Sequence, residues 1–193
     1  MFESYKELPS DYALNDSIDL ENNKKAFFIM NIGSVVLFII VMFIWVFLFG
    51  ALSFSDPIAM FILLGLFVLN IVIHEWIHGI FFKIGHGDNV QFKFHGFAAS
   101  ASIPDRYFSK KHYLLVGIAP FIFLMILYSL FSIFAYQYLS DSYQFVSAVL
   151  IAIHISGCMG DFYVCLKLLK KNQNTLVQDY GVGMRFYTNN NPK

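Results

Sequence analysis

The sequence predicts an all-α membrane protein of four transmembrane helices. Both termini are expected in the cytoplasm, with a short β-hairpin in the cytoplasmic loop between helices two and three. Three observations carry this. Hydrophobic residues make up 58% of the 193-residue chain and charged residues 13%, whereas a soluble domain carries about 25% charge. Four apolar segments each reach the roughly 20 residues that a helix needs to cross a bilayer core. The basic residues fall on alternate connections only.

The expected spans are residues 26–55, 57–84, 113–140 and 142–166. A polar stretch, residues 1–25, precedes the first span, which is too long for the apolar region of a signal peptide and is expected to be retained. Lys6, Lys24 and Lys25 precede span one; Lys83, Lys93, Arg106, Lys110 and Lys111 lie between spans two and three; Lys167, Lys170, Lys171, Arg185 and Lys193 follow span four. The two other connections carry only Asp56 and Asp141. The positive-inside rule then puts both termini and the middle loop in the cytoplasm. Spans two and four consequently run in the same direction.

The middle loop, residues 85–112, alternates Val90, Phe92 and Phe94 with Gln91, Lys93 and His95. After Gly96, apolar Phe97 and Ile103 and the small residues Ala99 and Ala101 alternate with other small residues as far as Pro104. That pattern reads as a β-hairpin turning near Gly96. The tail, residues 167–193, is expected in the cytoplasm with its end, from Thr188, loose. The whole chain, 1–193, reads as one membrane-embedded domain. A formal net charge of zero gives no electrostatic footprint for nucleic acid, which is excluded as a partner. Cys158 and Cys165 stand about 10 Å apart along a helix, too far for a disulfide between them.

Span two contains His74-Glu75-Trp76-Ile77-His78-Gly79. A spacing of four puts His74 and His78 on one helix face, where both imidazoles can reach a single Zn²⁺, with Glu75 beside the open position as the base for water. The bland alternative is polar glue between helices. A carboxylate inside a membrane helix is costly and usually marks function, which favours the metal.

A catalytic zinc takes a third protein ligand, and span four offers Asp161 in Ser156-Gly157-Cys158-Met159-Gly160-Asp161. Measured from the outer ends of their spans, His74 and His78 lie at depths of roughly 26 and 31 Å and Asp161 at roughly 29 Å. Gly157 and Gly160 give span four a small-residue face for close approach; the alternative for Asp161 is a carboxylate reaching for the interface. His154, about two turns nearer the outside, has three readings: a fourth ligand, a hydrogen-bond donor to the oxyanion of a tetrahedral intermediate, or an interhelical contact. Cys158 and Cys165 suit either thiolate ligation or small buried packing. His86, His95 and His112 lie in the loop, where an exposed or interfacial histidine needs no special role, and Trp76 is a lipid-facing or packing residue. Asn70 can orient His74 or bond another span.

An HExxH span, a later parallel span bearing Asp161 and one span between them resemble the site-2 protease type of intramembrane metalloprotease. The resemblance implies His74, His78 and Asp161 as zinc ligands, Glu75 as base, and the strand edge between Phe92 and Ile103 as a seat for substrate. Two departures stand: the Asn-x-x-Pro-x-x-x-x-Asp-Gly signature is absent, and Gly160 precedes Asp161 rather than following it. A fuller resemblance is to small bacterial membrane proteins catalogued as "putative zincin peptidase" within a domain of unknown function. It runs from Leu8-Pro9 and Ile18-Asp19-Leu20, through the HExxHG segment and Ser156-x-x-x-Gly160-Asp161, to Asp179-Tyr180-Gly181-Val182-Gly183. It implies a peptidase-like zinc site and names no substrate. Taken with the spans and their orientation, the expectation is a zinc peptidase of the bacterial cell membrane acting within or near the cytoplasmic leaflet on a membrane protein or peptide. The rivals are a non-catalytic, metal-stabilised binding or immunity protein and a metal or proton transporter. Transport ranks last, because the outer halves of the spans are almost uniformly apolar.

Overall fold

The computed structural model describes residues 4–19, 23–50, 55–86, 88–94, 99–181 and 183–189, and several of its helices begin where the sequence offers a cap. Two strands, β1 (Ser4–Tyr5) and β2 (Tyr12–Asp19), precede α1 (Lys24–Phe49). The Asn23 side chain accepts the Ala26 amide at 3.0 Å, taking up one of the donors a helix start leaves free. Helix α2 (Pro57–Ile84) opens on proline after Asp56, whose carboxylate accepts the Ile58 amide at 2.9 Å; an acidic cap followed by proline is a strong start signal. Strands β3 (Gln91–Phe94) and β4 (Ala99–Ser109) come next, then α3 (Lys110–Tyr138), α4 (Asp141–Gly157), α5 (Met159–Leu169), β5 (Leu176–Asp179) and β6 (Gly183–Asn189). Among the described residues, four helical stretches are long and apolar enough to cross a membrane: α1, α2, α3, and α4 with α5 together.

The expectation of an all-α chain with one hairpin is too narrow. Strands β3 and β4 do pair, from Gln91 opposite Ser102 to Phe94 opposite Ala99. They belong, however, to an antiparallel sheet of six strands among the described residues, of order β1-β4-β5-β6-β2, with β3 also on β4. The tail is not loose at Thr188 and Asn189, which pair in β6 with Ala13 and Tyr12. The hairpin turn with His95, Gly96 and Phe97, and also Leu20, Val182 and residues 190–193, lie outside the described residues. Between β5 and β6, Gly181 has φ +92, and a Cβ on Gly183 would stand 2.3 Å from the Ile18 carbonyl oxygen. Glycine is required at both for opposite reasons, backbone sign and clearance.

The fourth apolar stretch is broken. Helix α4 ends at Gly157, Cys158 caps it with φ −74 and ψ 3, and α5 starts at Met159. Gly157 and Gly160 do not form a close-approach face, since a Cβ on either would meet nothing within 4 Å among the described residues. They flank the interruption instead, where their low helix propensity is useful, and the break leaves Asp161 in the first turn of α5.

Packing divides the chain into two compact units. One comprises Met1–Phe28, Glu75–Pro120 and Asp161–Lys193, with Phe82, Phe108, Val116, Leu168, Val177 and Phe186 in its core. The buried Lys110 ammonium donates to the Leu169 and Lys171 carbonyls at 3.0 and 2.5 Å, capping the end of α5. His112, expected at an exposed or interfacial position, is fully buried and stacks on Phe108. The other unit comprises Ile29–His74 and Phe121–Gly160, with Ala59, Leu63, Val146 and Val149 at its core. Its helices expose large apolar side chains such as Phe43, Phe47 and Phe61.

The close contact of Gly85 with His112 is testable. A Cβ on Gly85 would stand 2.3 Å from the His112 ring, whereas one on Gly65 would meet nothing within 4 Å among the described residues. Gly85→Ala should lower stability by about 1–3 kcal/mol through overpacking. Gly65→Ala should be neutral or stabilising by up to about 1 kcal/mol. Thermal unfolding of both variants in detergent checks the pair.

Candidate metal centre

Proline 120 prepares the centre from within α3. It lies inside that helix and has no N–H to give the carbonyl four residues earlier, that of Val116. The vacated acceptor is used by α2: His78 Nδ1 lies 3.0 Å from the Val116 oxygen. A carbonyl only accepts, so Nδ1 carries the proton and donates it, and the neutral ring presents its lone pair at Nε2.

His78 Nε2 lies 3.4 Å from Asp161 Oδ1. Two atoms presenting lone pairs need a positive centre between them or a proton on one. The separation is long for an N–H···O hydrogen bond, usually about 2.7–3.2 Å. It matches the edge of a tetrahedron with bonds of about 2.0–2.1 Å to a central Zn²⁺. His74 stands one turn earlier on the same uninterrupted helix, and donor atoms of His74, His78 and Asp161 all lie within 4.8 Å of one another. Two imidazoles and a carboxylate at that spacing fit zinc. His78 keeps 9% of its side-chain exposure and Asp161 24%, so the centre is open on the aspartate side. Glu75 follows His74 directly and is half-buried.

His154 and Cys158 form a separate group with His74 in the other unit. Their donor atoms lie within 4.8 Å of one another, and the His74 and His154 ring centroids are 6.0 Å apart. His154 is stacked on Phe121 and meets Tyr128 edge-on. Cys165 stands apart from both groups, with its sulfur against Gly117. Asn70 accepts the Tyr128 hydroxyl at 2.8 Å, which is a bond to another helix.

Two groups that bear on this geometry were assigned no role from the sequence. The Val116 carbonyl has no side-chain signature, although a proline inside an apolar span is the visible trace of a freed carbonyl. The second is Asp179 on β5, which is buried. It accepts the Tyr113 hydroxyl at 2.5 Å and the Gly181 amide at 2.8 Å. Burial pushes its carboxyl up to about 6, against those two hydrogen bonds, which favour the charged form.

Residues 66–176, more than half of the chain, match the family described as "Putative zincin peptidase", and the chain belongs to that family. The match spans every donor named above and ends before Asp179. Membership supplies the general chemistry of a zinc metallopeptidase, with Zn²⁺ as the metal. No curated protein and no solved structure matches the chain.

Two outcomes follow from this geometry. Pro120→Ala restores an amide that competes with His78 for the Val116 carbonyl; zinc affinity should fall by about tenfold, as losses of ligand-orienting partners do, read by competition with a chromophoric chelator. Asp179 has a raised folded pKa, so its contribution to stability is complete below about 3.8 and is lost as pH rises through about 6. The loss should be on the order of 3 kcal/mol. Denaturation midpoints from pH 4 to 7 should fall in wild type and stay flatter in Asp179→Asn.

Proposed function

We propose that this zincin-family chain is embedded in the bacterial cell membrane and hydrolyses peptide bonds of a membrane protein or peptide within or beside the cytoplasmic leaflet. The observation that carries the reading is the meeting of His74, His78 and Asp161 donors within 4.8 Å, beside Glu75. When bound there, zinc supplies Lewis acidity, polarising a scissile carbonyl and acidifying water. Glu75 accepts the proton of the attacking water and delivers it to the leaving amine. The Val116 carbonyl keeps the His78 ring aimed and in one tautomer throughout. His154, beside His74, donates a hydrogen bond to the oxyanion of the tetrahedral intermediate.

Membrane embedding is supported by the four apolar helices and by Phe, Ile and Leu side chains exposed along α1 to α3, a surface that water would not tolerate on a monomer. Sidedness is supported by the sheet, which draws strands from before α1, between α2 and α3, and after α5. A single sheet sits on one side of a bilayer, because an open edge has no partners inside it. The basic residues of those same segments make that side the cytoplasm. Water then reaches the site from the side where Asp161 is open.

A helical substrate has its carbonyls engaged and must unwind before attack. Strand β3 suits an unwound segment. It pairs with β4, its four residues are exposed, and the Phe92 ring stands where a Cβ on Gly79 would be, directly after the HExxH segment. An extended segment added along β3 would pass beside the centre, an arrangement like that of site-2 proteases.

Glu75→Gln should bind zinc as wild type does yet cleave a membrane-tethered peptide library at least about 100-fold more slowly. Cleavage at the wild-type rate would sink the mechanism. Zinc retained in both proteins with no cleavage in either would favour the non-catalytic binding protein instead.

A further inference from the structure

His74 stands at the junction of two donor sets, and the set that excludes His78 and Asp161 is complete in its own right. His154 and Cys158 are one turn apart at the end of α4, the spacing that lets two side chains grip one ion, with His154 Nε2 3.9 Å from Cys158 Sγ. Both are almost fully enclosed, at 1% and 0% exposure. Bonds of about 2.0–2.1 Å to nitrogen and 2.3 Å to sulfur give a tetrahedral N–S edge of about 3.6 Å, so closing on an ion takes only a few tenths of an ångström. Stacking on Phe121 and the edge of Tyr128 hold the His154 ring in place, and its Nε2, 3.4 Å from the Phe121 carbonyl oxygen, exchanges that long hydrogen bond for the ion as the ring proton moves to Nδ1.

We propose that His74, His154 and Cys158 form a second metal position, selective for thiophilic d¹⁰ cations such as Zn²⁺ and Cd²⁺ and mutually exclusive with the first. Two imidazoles and a thiolate are a softer set than two imidazoles and a carboxylate. A neutral imidazole carries one nitrogen lone pair in the ring plane, so His74 serves one cation at a time. A cation in the second position takes His74 away from His78 and Asp161, and the Cys158 thiol releases its proton to solvent as it ligates. The binding stands on this geometry alone. Its consequence, inhibition by excess thiophilic metal, rests on the catalytic reading above.

Full-length protein in detergent, titrated with Co²⁺, reads the sulfur ligand directly, because thiolate ligation gives a near-ultraviolet charge-transfer band that nitrogen and oxygen ligands do not. Asp161→Ala, which disables the first position, should bind Co²⁺ with that band, and Asp161→Ala combined with Cys158→Ser should lose it. Cd²⁺ added to otherwise wild-type protein should release about one proton per cation, and none from Cys158→Ser. This arm leaves the first position intact and so does not depend on the folding of Asp161→Ala. Absence of the band in folded Asp161→Ala, or equal proton release with and without Cys158, overturns the second position. Peptide cleavage by wild type alongside either result leaves the catalytic reading standing. A band in Asp161→Ala together with undiminished cleavage supports the second position and removes Asp161 from catalysis instead.

Discussion

The hydrogen bond from His78 Nδ1 to the Val116 carbonyl is the interaction on which the centre depends. An imidazole among apolar helices can rotate, protonate or change tautomer, and each change would turn the Nε2 lone pair away from its partner. A backbone acceptor removes that freedom without adding a charge, and a backbone atom is positioned by its whole helix rather than by one rotamer. The acceptor exists because Pro120 cannot occupy it. A residue that ordinarily costs a helix a hydrogen bond thus transfers the vacancy to a histidine on a neighbouring helix.

The sheet supplies the second constraint. Phe108 on β4, Val177 on β5 and Phe186 on β6 pack with Phe82 from the end of α2, Val116 from the start of α3 and Leu168 from α5. Those helix segments carry or anchor His78, Val116 and Asp161. A centre on isolated apolar helices would be held only by helix–helix packing, which tolerates sliding. Here the segments share one core with a hydrogen-bonded ladder, so relative movement breaks strand register as well as side-chain contacts.

The local parts of this structure were legible in the sequence and the remote parts were not. The helical stretches follow from uninterrupted apolar runs, and the nearness of Asp161 to His78 was expected from residue counts along the second and fourth apolar stretches. Strands β3 and β4 announced themselves by alternation. Strands β2, β5 and β6 did not, because Asn15 and Asp16 interrupt β2 and the apolar part of β5 is only Leu176 and Val177. The pairing of β2 with β6 joins segments more than 150 residues apart, for which no periodicity is a guide. The break at Cys158 escaped for a different reason: two glycines in an apolar run read equally as a packing face or as a weak point, and only the neighbours decide.

That break bears on why one chain can hold two donor sets. His74 and His78 are about 6 Å apart along α2, while an unbroken helix would set His154 and Asp161 about 10.5 Å apart. His74 is beside His154 and His78 is beside Asp161. The interruption at Cys158 falls between the two donors of the fourth apolar stretch. Cys158 lies within reach of His154 and His74. The residue that separates α4 from α5 thereby also sets a thiol against the one histidine that both sets share.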